Sequence, residues 1–172
     1  KITIVPRTMG SLGYTMQMPE EEHYLMSKEE ITEQIVTLLS GRTAEEIIFN
    51  TITTGAANDI ERATELARAM VTKFGMSESF DMMALEKNSN MYLDGKTAML
   101  CSDATGSKAD YEALEIIKDC HKKATELLSA NIDKLHKIAA FLIEKETITG
   151  EQFMELFNEK DEQSEENNIT EE

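Results

Sequence analysis

Tryptophan is absent from the 172 residues, proline and cysteine occur twice each, and no apolar run approaches the length of a membrane span. Each scarcity excludes something. Cys101 and Cys120 cannot build a disulfide framework and lack the CxxC spacing of a zinc knuckle or redox pair, so a reducing compartment fits best. A helix crossing a bilayer needs roughly 18 to 20 successive apolar residues. With neither such a run nor a signal peptide, these residues are expected to be soluble, with no direct membrane insertion. Positive charge is scarce as well: 17 Lys and Arg stand against 33 Asp and Glu, a net charge of -16. Counterion release from a phosphate backbone then has little cationic surface to act through, so no nucleic acid is expected as a partner.

What is present is globular. Apolar residues make up 41% and charged residues 29%, enough to bury a core in one ordinary domain or two very small ones. The first residue is Lys1, which reads as the start of a piece of something longer. Residues 160–172 hold six acidic side chains, one Lys and a lone Ile169, too little apolar area to offset ordering entropy. The expected organisation is therefore a folded part over residues 1–159 and an acidic, disordered tail over 160–172. Asn168-Ile169-Thr170 fits a glycosylation acceptor by chance alone.

Period-two alternation marks Ile2 and Ile4, then Tyr14, Met16 and Met18, with Pro6, Gly10 and Gly13 between them and Pro19 closing the run. Two short strands, a hairpin or edge ribbon, are expected. The rest reads as helix. Ser27 and Glu30 form a capping box ahead of an apolar stripe of Ile31, Ile35, Leu38 and Leu39. After Gly41 a separate short helix is expected over Ala44 to Phe49. Ile60, Ala63, Ala67, Met70, Val71 and Phe74 give the longest clean helical period, with Gly75 where a C-terminal cap belongs. Met76 to Ser107 has no sustained period and predicts a long loop with a short strand near Met83 to Leu85. Helix resumes through Tyr111, Leu114, Ile117, Ala124, Leu127 and Leu128, then through Ile132, Leu135, Ile138, Ala139 and Leu142, two helices expected to pack antiparallel. A last helix starts at Thr149, capped with Gln152. The fold class is mainly α: a helical bundle with a small β-hairpin or edge ribbon near the N-terminus.

Most short motifs carry no chemistry. Gly95-Lys96-Thr97 ends like a phosphate loop, but Asn90 stands where its first glycine belongs. His23, His121 and His136 form no HExxH and no cluster with Cys or Asp. Cys120 and His121 are neighbours on a helix, so their side chains diverge by about 100° and make a poor nucleophile and base.

The informative stretch is Thr53-Thr54-Gly55-Ala56-Ala57-Asn58-Asp59-Ile60-Glu61-Arg62-Ala63-Thr64. By itself it places Asp59 in the first turn of a helix, where the dipole and orphan amides favour a carboxylate, and Arg62 one turn on could pair with it. The segment closely resembles the TTGAxND(I/L)ERAT stretch of the FtsH-type ATP-dependent zinc metalloproteases. ITIVPR (2–7) with GSLGYTMQMP (10–19), Gly41-Arg42-Thr43-Ala44-Glu45-Glu46, Gly75-Met76-Ser77 and Ala84-Leu85-Glu86 extend the resemblance over roughly residues 1 to 157.

The resemblance implies that Asp59 is the third zinc ligand and that residues 1–159 are the C-terminal part of a zinc-metalloprotease domain. It implies a membrane-anchored parent on the cytoplasmic face, hexameric rings, an ATPase module using ATP outside this chain, and protein substrates. Gly13, Tyr14, Thr15, Met16 and Gln17 resemble the strand lining the active-site cleft, where an extended substrate could pair through its main chain. Glu45 and Glu46 are candidates for supporting the zinc site, with capping or ion pairing as the commoner use of such residues. The departure is the HExxH helix, two His and the catalytic Glu, which is not in this sequence. No catalytic residue is assigned, and the chain as it stands is expected neither to hold zinc tightly nor to cut peptides. An alternative is a non-catalytic helical oligomerisation or scaffold module, a pseudo-protease; a generic acidic adaptor ranks below both. The eleven methionines suit adaptable contact with unfolded clients, although core filling is their commoner use. With an upstream helix missing, the Ile31 and Ile60 stripes are expected to be partly exposed, favouring dimers.

Overall fold

A computed structural model describes residues 1–6, 13–16, 25–88 and 97–159. In chain order they form β1 (Ile2–Thr3), β2 (Tyr14–Thr15), α1 (Lys28–Phe49), a 3-10 turn (Thr54–Ala56) and α2 (Ala57–Thr72). There follow β3 (Glu86–Asn88), β4 (Thr97–Met99), α3 (Asp103–Ala130), α4 (Ile132–Lys145), β5 (Thr147–Ile148) and α5 (Gly150–Asn158). The fold is mainly helical with a minor strand element, as the pattern predicts. Two compact units divide the chain: His23–Ala130 in one, Lys1–Glu22 with Asn131–Glu172 in the other.

In the first unit α1, α2 and α3 pack on one another. Ser27 starts α1 by the predicted capping box: its hydroxyl accepts from the Glu30 amide at 3.2 Å, and its own amide donates to Glu30 Oε2 at 2.6 Å. The large apolar groups come mainly from α1, with Ile31, Ile35, Val36 and Leu39 buried. α2 adds Ala63, Ala67, Met70 and Val71, and α3 adds Ala109, Ala113, Cys120 and Ala124. Small side chains on two of three helices let the axes approach closely around the branched residues of the third.

Four local readings are corrected. The expected separate helix at Ala44 to Phe49 is the last part of α1, which runs through Gly41 without a break. A helical glycine costs about 1 kcal/mol. Leu39 and Thr43, both buried next to it, outweigh that cost, and the Thr43 hydroxyl bonds the Leu39 carbonyl at 3.0 Å. The helix ends instead at Asn50, left-handed at φ 48. Phe74, read as part of the buried stripe, is 51% exposed because α2 stops at Thr72 and Gly75 reverses the chain at φ +63. A Cβ on Gly75 would also lie 3.1 Å from the Met82 Cα.

Met76 to Ser107 is no plain loop. A turn follows Gly75, β3 and β4 pair antiparallel with Glu86 opposite Met99, and α3 begins at Asp103. The strand falls at Glu86–Asn88 instead of near Met83 to Leu85; Leu85 is a fully buried anchor whose amide donates to the Thr72 carbonyl at 2.9 Å. On α3, Tyr111, Leu114 and Leu127 are exposed, while the small Ala109, Ala113 and Ala124 face the core. Of the residues read as that helix's stripe, Ala124 is buried and Ile117 packs against the core, whereas Tyr111, Leu114 and Leu127 face solvent.

In the second unit the N-terminal ribbon gains a third strand, giving the antiparallel order β2-β1-β5. Ile148 of β5 is fully buried, and the Thr3 and Thr147 hydroxyls lie 2.9 Å apart. Thr149 caps α5 as predicted, its hydroxyl accepting from the Gln152 amide at 3.3 Å. α4 packs with α5 and β5, where Lys134 sits 4.1 Å from the Phe157 ring centre. The predicted tail at 160–172 and the Gly95-Lys96 pair lie outside the described residues.

Candidate functional site

Asp59 is the third residue of α2 and its one acid in the first turn. The helix has no side-chain N-cap of its own, because Ala56 occupies that position. What starts it is the 3-10 turn before it, where the Thr53 hydroxyl accepts from the Gly55 amide at 3.1 Å. The Asp59 carboxylate is partly exposed and makes no hydrogen bond or ion pair among the described residues. The suggested pairing with Arg62 is not formed. Capping by a direct hydrogen bond is not formed either, although the dipole still favours the charge there.

Glu45 and Glu46 are both engaged. On Glu45, Oε1 accepts from the Thr53 hydroxyl at 2.8 Å and Oε2 from the Thr53 amide at 3.2 Å. Arg42, one turn earlier on α1, donates to the Thr53 carbonyl, and its Nε lies 3.6 Å from Glu45 Oε2. The hydrogen bond from the Thr53 hydroxyl, then that from its amide, hold the Glu45 carboxyl below its ordinary value, with Arg42 adding to the effect and burial opposing it. Glu46, one residue on, points about 100° away around the helix. Its Oε2 lies 3.1 Å from Nε2 of His121 on α3. Glu45 thus bonds the segment ahead of α2, and Glu46 meets a ring nitrogen on α3.

Cys120 faces the core instead of His121. It is 2% exposed, and its thiol reaches the Thr32 carbonyl at 3.8 Å. Burial first, and Asp119 second, push that thiol up, the reverse of what a nucleophile needs.

As a metal donor Asp59 is suited: an oxygen ligand of a type zinc accepts, unengaged and reachable from solvent. It is one donor, and no group of three His, Cys, Asp or Glu converges among the described residues.

The ribbon residues sit in the second unit. Lys1 and Met16 exchange both backbone bonds, Met16 amide to Lys1 carbonyl at 2.8 Å and Lys1 nitrogen to Met16 carbonyl at 3.0 Å. In an antiparallel ladder the next pair along does not bond. Thr15, opposite Ile2, therefore turns its amide and carbonyl away from β1, toward the open side of β2. Tyr14 pairs with Thr3, and Gly13 passes so close that a Cβ there would stand 2.4 Å from the Thr3 carbonyl oxygen. Gln17 lies outside the described residues.

Sequence reading missed the roles of Arg42 and Thr53. The spacing of Arg42 and Glu45 is a visible one-turn ion pair, but nothing local announces that both reach across to Thr53.

Comparison with known proteins identifies the family. The family model described as Peptidase family M41 matches residues 1–156. An ATP-dependent zinc metalloprotease FtsH of Clostridium perfringens is 60% identical over 156 residues, covering 91% of this chain and 22% of that protein. Another from Lancefieldella parvula is 51% identical over 156 residues, 91% of this chain and 24% of its own length. ATP-dependent zinc metalloprotease FtsH 4 of Synechocystis is 46% identical over 163 residues, 92% and 26%. The chain thus spans about a quarter of the length of these curated relatives. With a family model matched over nearly all of its folded residues, the chain belongs to peptidase family M41.

Proposed function

We propose that residues 1–159 are the C-terminal part of the proteolytic domain of an ATP-dependent zinc metallopeptidase, in which Asp59 is one of the zinc ligands. The observation that carries this reading is the free carboxylate of Asp59 at the start of α2, inside a chain whose residues 1–156 are matched by a peptidase family. Zinc, when bound, supplies a Lewis acid that activates water at neutral pH. The chain's own residues do the rest. Asp59 offers an oxygen donor, Glu45 holds the turn that leads into α2 while Glu46 ties α1 to α3, and the residues Gly13 to Gln17 receive an extended substrate. Thr15 supports that last role, since its outward amide and carbonyl can pair with any sequence through the main chain. The proteolytic partners on this reading are protein substrates, taken up by a hexameric, membrane-anchored parent whose ATPase module lies outside these residues.

The test is zinc content and casein hydrolysis by the full-length polypeptide, compared with its Asp59→Ala variant. The expected outcome is about one zinc and active cleavage in the parent, with both lost in the variant. Undiminished zinc in Asp59→Ala refutes the ligand role, and a parent with neither zinc nor activity leaves the non-catalytic assembly module as the better reading.

A further inference from the structure

The clamp on Thr53 is a fully bonded polar cluster in the first unit, set just ahead of α2. Two side chains one turn apart on α1 converge on one residue. Glu45 takes both the hydroxyl and the amide of Thr53, and Arg42 takes its carbonyl. The same hydroxyl oxygen accepts from the Gly55 amide, so all the polar atoms of Thr53 are engaged. Arg42 is also paired by charge: its Nε, shielded from solvent and without a hydrogen bond, lies 3.6 Å from Glu45 Oε2.

The clamp lies where it matters for Asp59. Thr53 caps the 3-10 turn Thr54–Ala56, and that turn runs straight into α2, whose own N-cap position is Ala56 and has no side-chain bond. A helix start without its own cap frays within the first turn, and Asp59 is in that turn. The position of the carboxylate is therefore set by whatever fixes the turn before it. The clamp also joins this turn to the C-terminal half of α1, whose Leu39 and Thr43 are anchored in the core. We propose that Thr53, gripped by Glu45 and Arg42, is the positioning residue for Asp59, transmitting the rigidity of the core to a carboxylate that has no partner of its own.

This rests on Asp59 being a zinc ligand, and the experiment separates the two claims. Zinc affinity of the full-length polypeptide is measured by competition with a chromophoric chelator, for Thr53→Val, Thr53→Ser, Arg42→Gln and Asp59→Ala. Valine keeps the shape of threonine and removes only the hydroxyl, and serine restores it. Loss of a group that orients a ligand costs about 10-fold to 100-fold in metal affinity. Thr53→Val is expected to weaken zinc by at least about 10-fold at an unchanged melting temperature, Arg42→Gln similarly, and Thr53→Ser to recover most of the loss. Amide exchange at Gly55 to Ile60 should quicken in the valine variant while the α1 core stays protected. If Asp59→Ala loses zinc and Thr53→Val does not, the positioning role is wrong and the ligand role survives. If Asp59→Ala keeps its zinc, the ligand role itself has failed and this inference falls with it.

Discussion

Glu112 offers the sharpest test of how the first unit is held together. From α3 it reaches the turn after Gly75: Oε2 accepts from the Ser77 hydroxyl at 2.9 Å, and Oε1 from the Glu78 amide at 2.8 Å. Ser77 is 7% exposed, and its oxygen in turn accepts from the amides of Ser79 at 3.1 Å and Phe80 at 2.9 Å. One carboxylate thus organises the whole reversal between α2 and the β3–β4 ribbon. In Glu112→Gln one oxygen remains as a neutral acceptor, while the other becomes an NH2 facing a donor. Hydrogen bonds to charged groups contribute about 1.5 to 3 kcal/mol and neutral ones about 1, so one bond is weakened and the other lost. The expected destabilisation is about 2 to 3 kcal/mol at pH 7. With a urea slope of 1 to 3 kcal/mol per molar, that moves the unfolding midpoint down by roughly 1 M.

The pH dependence sharpens the test. Burial works to raise the Glu112 carboxyl, but the bonds from Ser77, Glu78 and Ser79 prevail and leave it below its ordinary 4.5. A group depressed in the folded state adds stability that is present above its unfolded value and lost as pH falls through the folded one. The gap between the parent and Glu112→Gln should therefore be full at pH 7 and narrow progressively below about pH 4.5. Urea titrations followed by circular dichroism at pH 7, 5 and 3 measure it. Equal midpoints at pH 7, or a gap that stays constant down to pH 3, would show that the carboxylate does not hold the turn.

Two further predictions concern other parts of the chain. Thr15→Pro removes an amide that faces the open side of β2, so the β1–β2 ladder and the melting temperature should survive while peptide cleavage by the full-length polypeptide weakens; unchanged KM and kcat for an extended peptide would reject the strand-addition role. The two thiols should differ in reactivity, since Cys120 is buried and pushed up whereas Cys101 is partly exposed. In the native chain at pH 8 an alkylating agent should modify Cys101 many-fold faster, as mass spectrometry of timed digests will show, and equal rates would contradict the buried position of Cys120.

Elements specified by neighbours in the chain were legible from sequence. Both capping boxes, the starts of α1 and α5, and the glycine that ends the α2 region need only residues three or four positions apart. The ribbon of β1 and β2 was legible for the same reason, because alternation over a few residues identifies it. The third strand was not, since β5 lies more than 140 residues from β1 and its two residues have no period to read. Likewise β3 and β4 exist only as a pair, and neither three-residue segment announces itself alone.

The candidate site divides along the same line. Residue type and order determined by themselves that Asp59 opens a helix, that Glu45 and Glu46 are helical neighbours, and that the chain resembles one family; that these two sit near the end of the long α1 and not at the start of a separate helix was decided by the structure. Tertiary structure alone decided what each carboxylate does: Glu45 grips Thr53, Glu46 meets His121 on α3, and Asp59 is left free. It also decided which side of α3 is buried. The physical reason is that the starts of α1 and α5 are fixed by bonds within one turn, whereas the choice of partner for a side chain, and the face that a helix buries, depend on which other helices arrive beside it. Small residues such as Ala109 and Ala113 win that face because they permit close approach, a property visible only once the facing helices are in place.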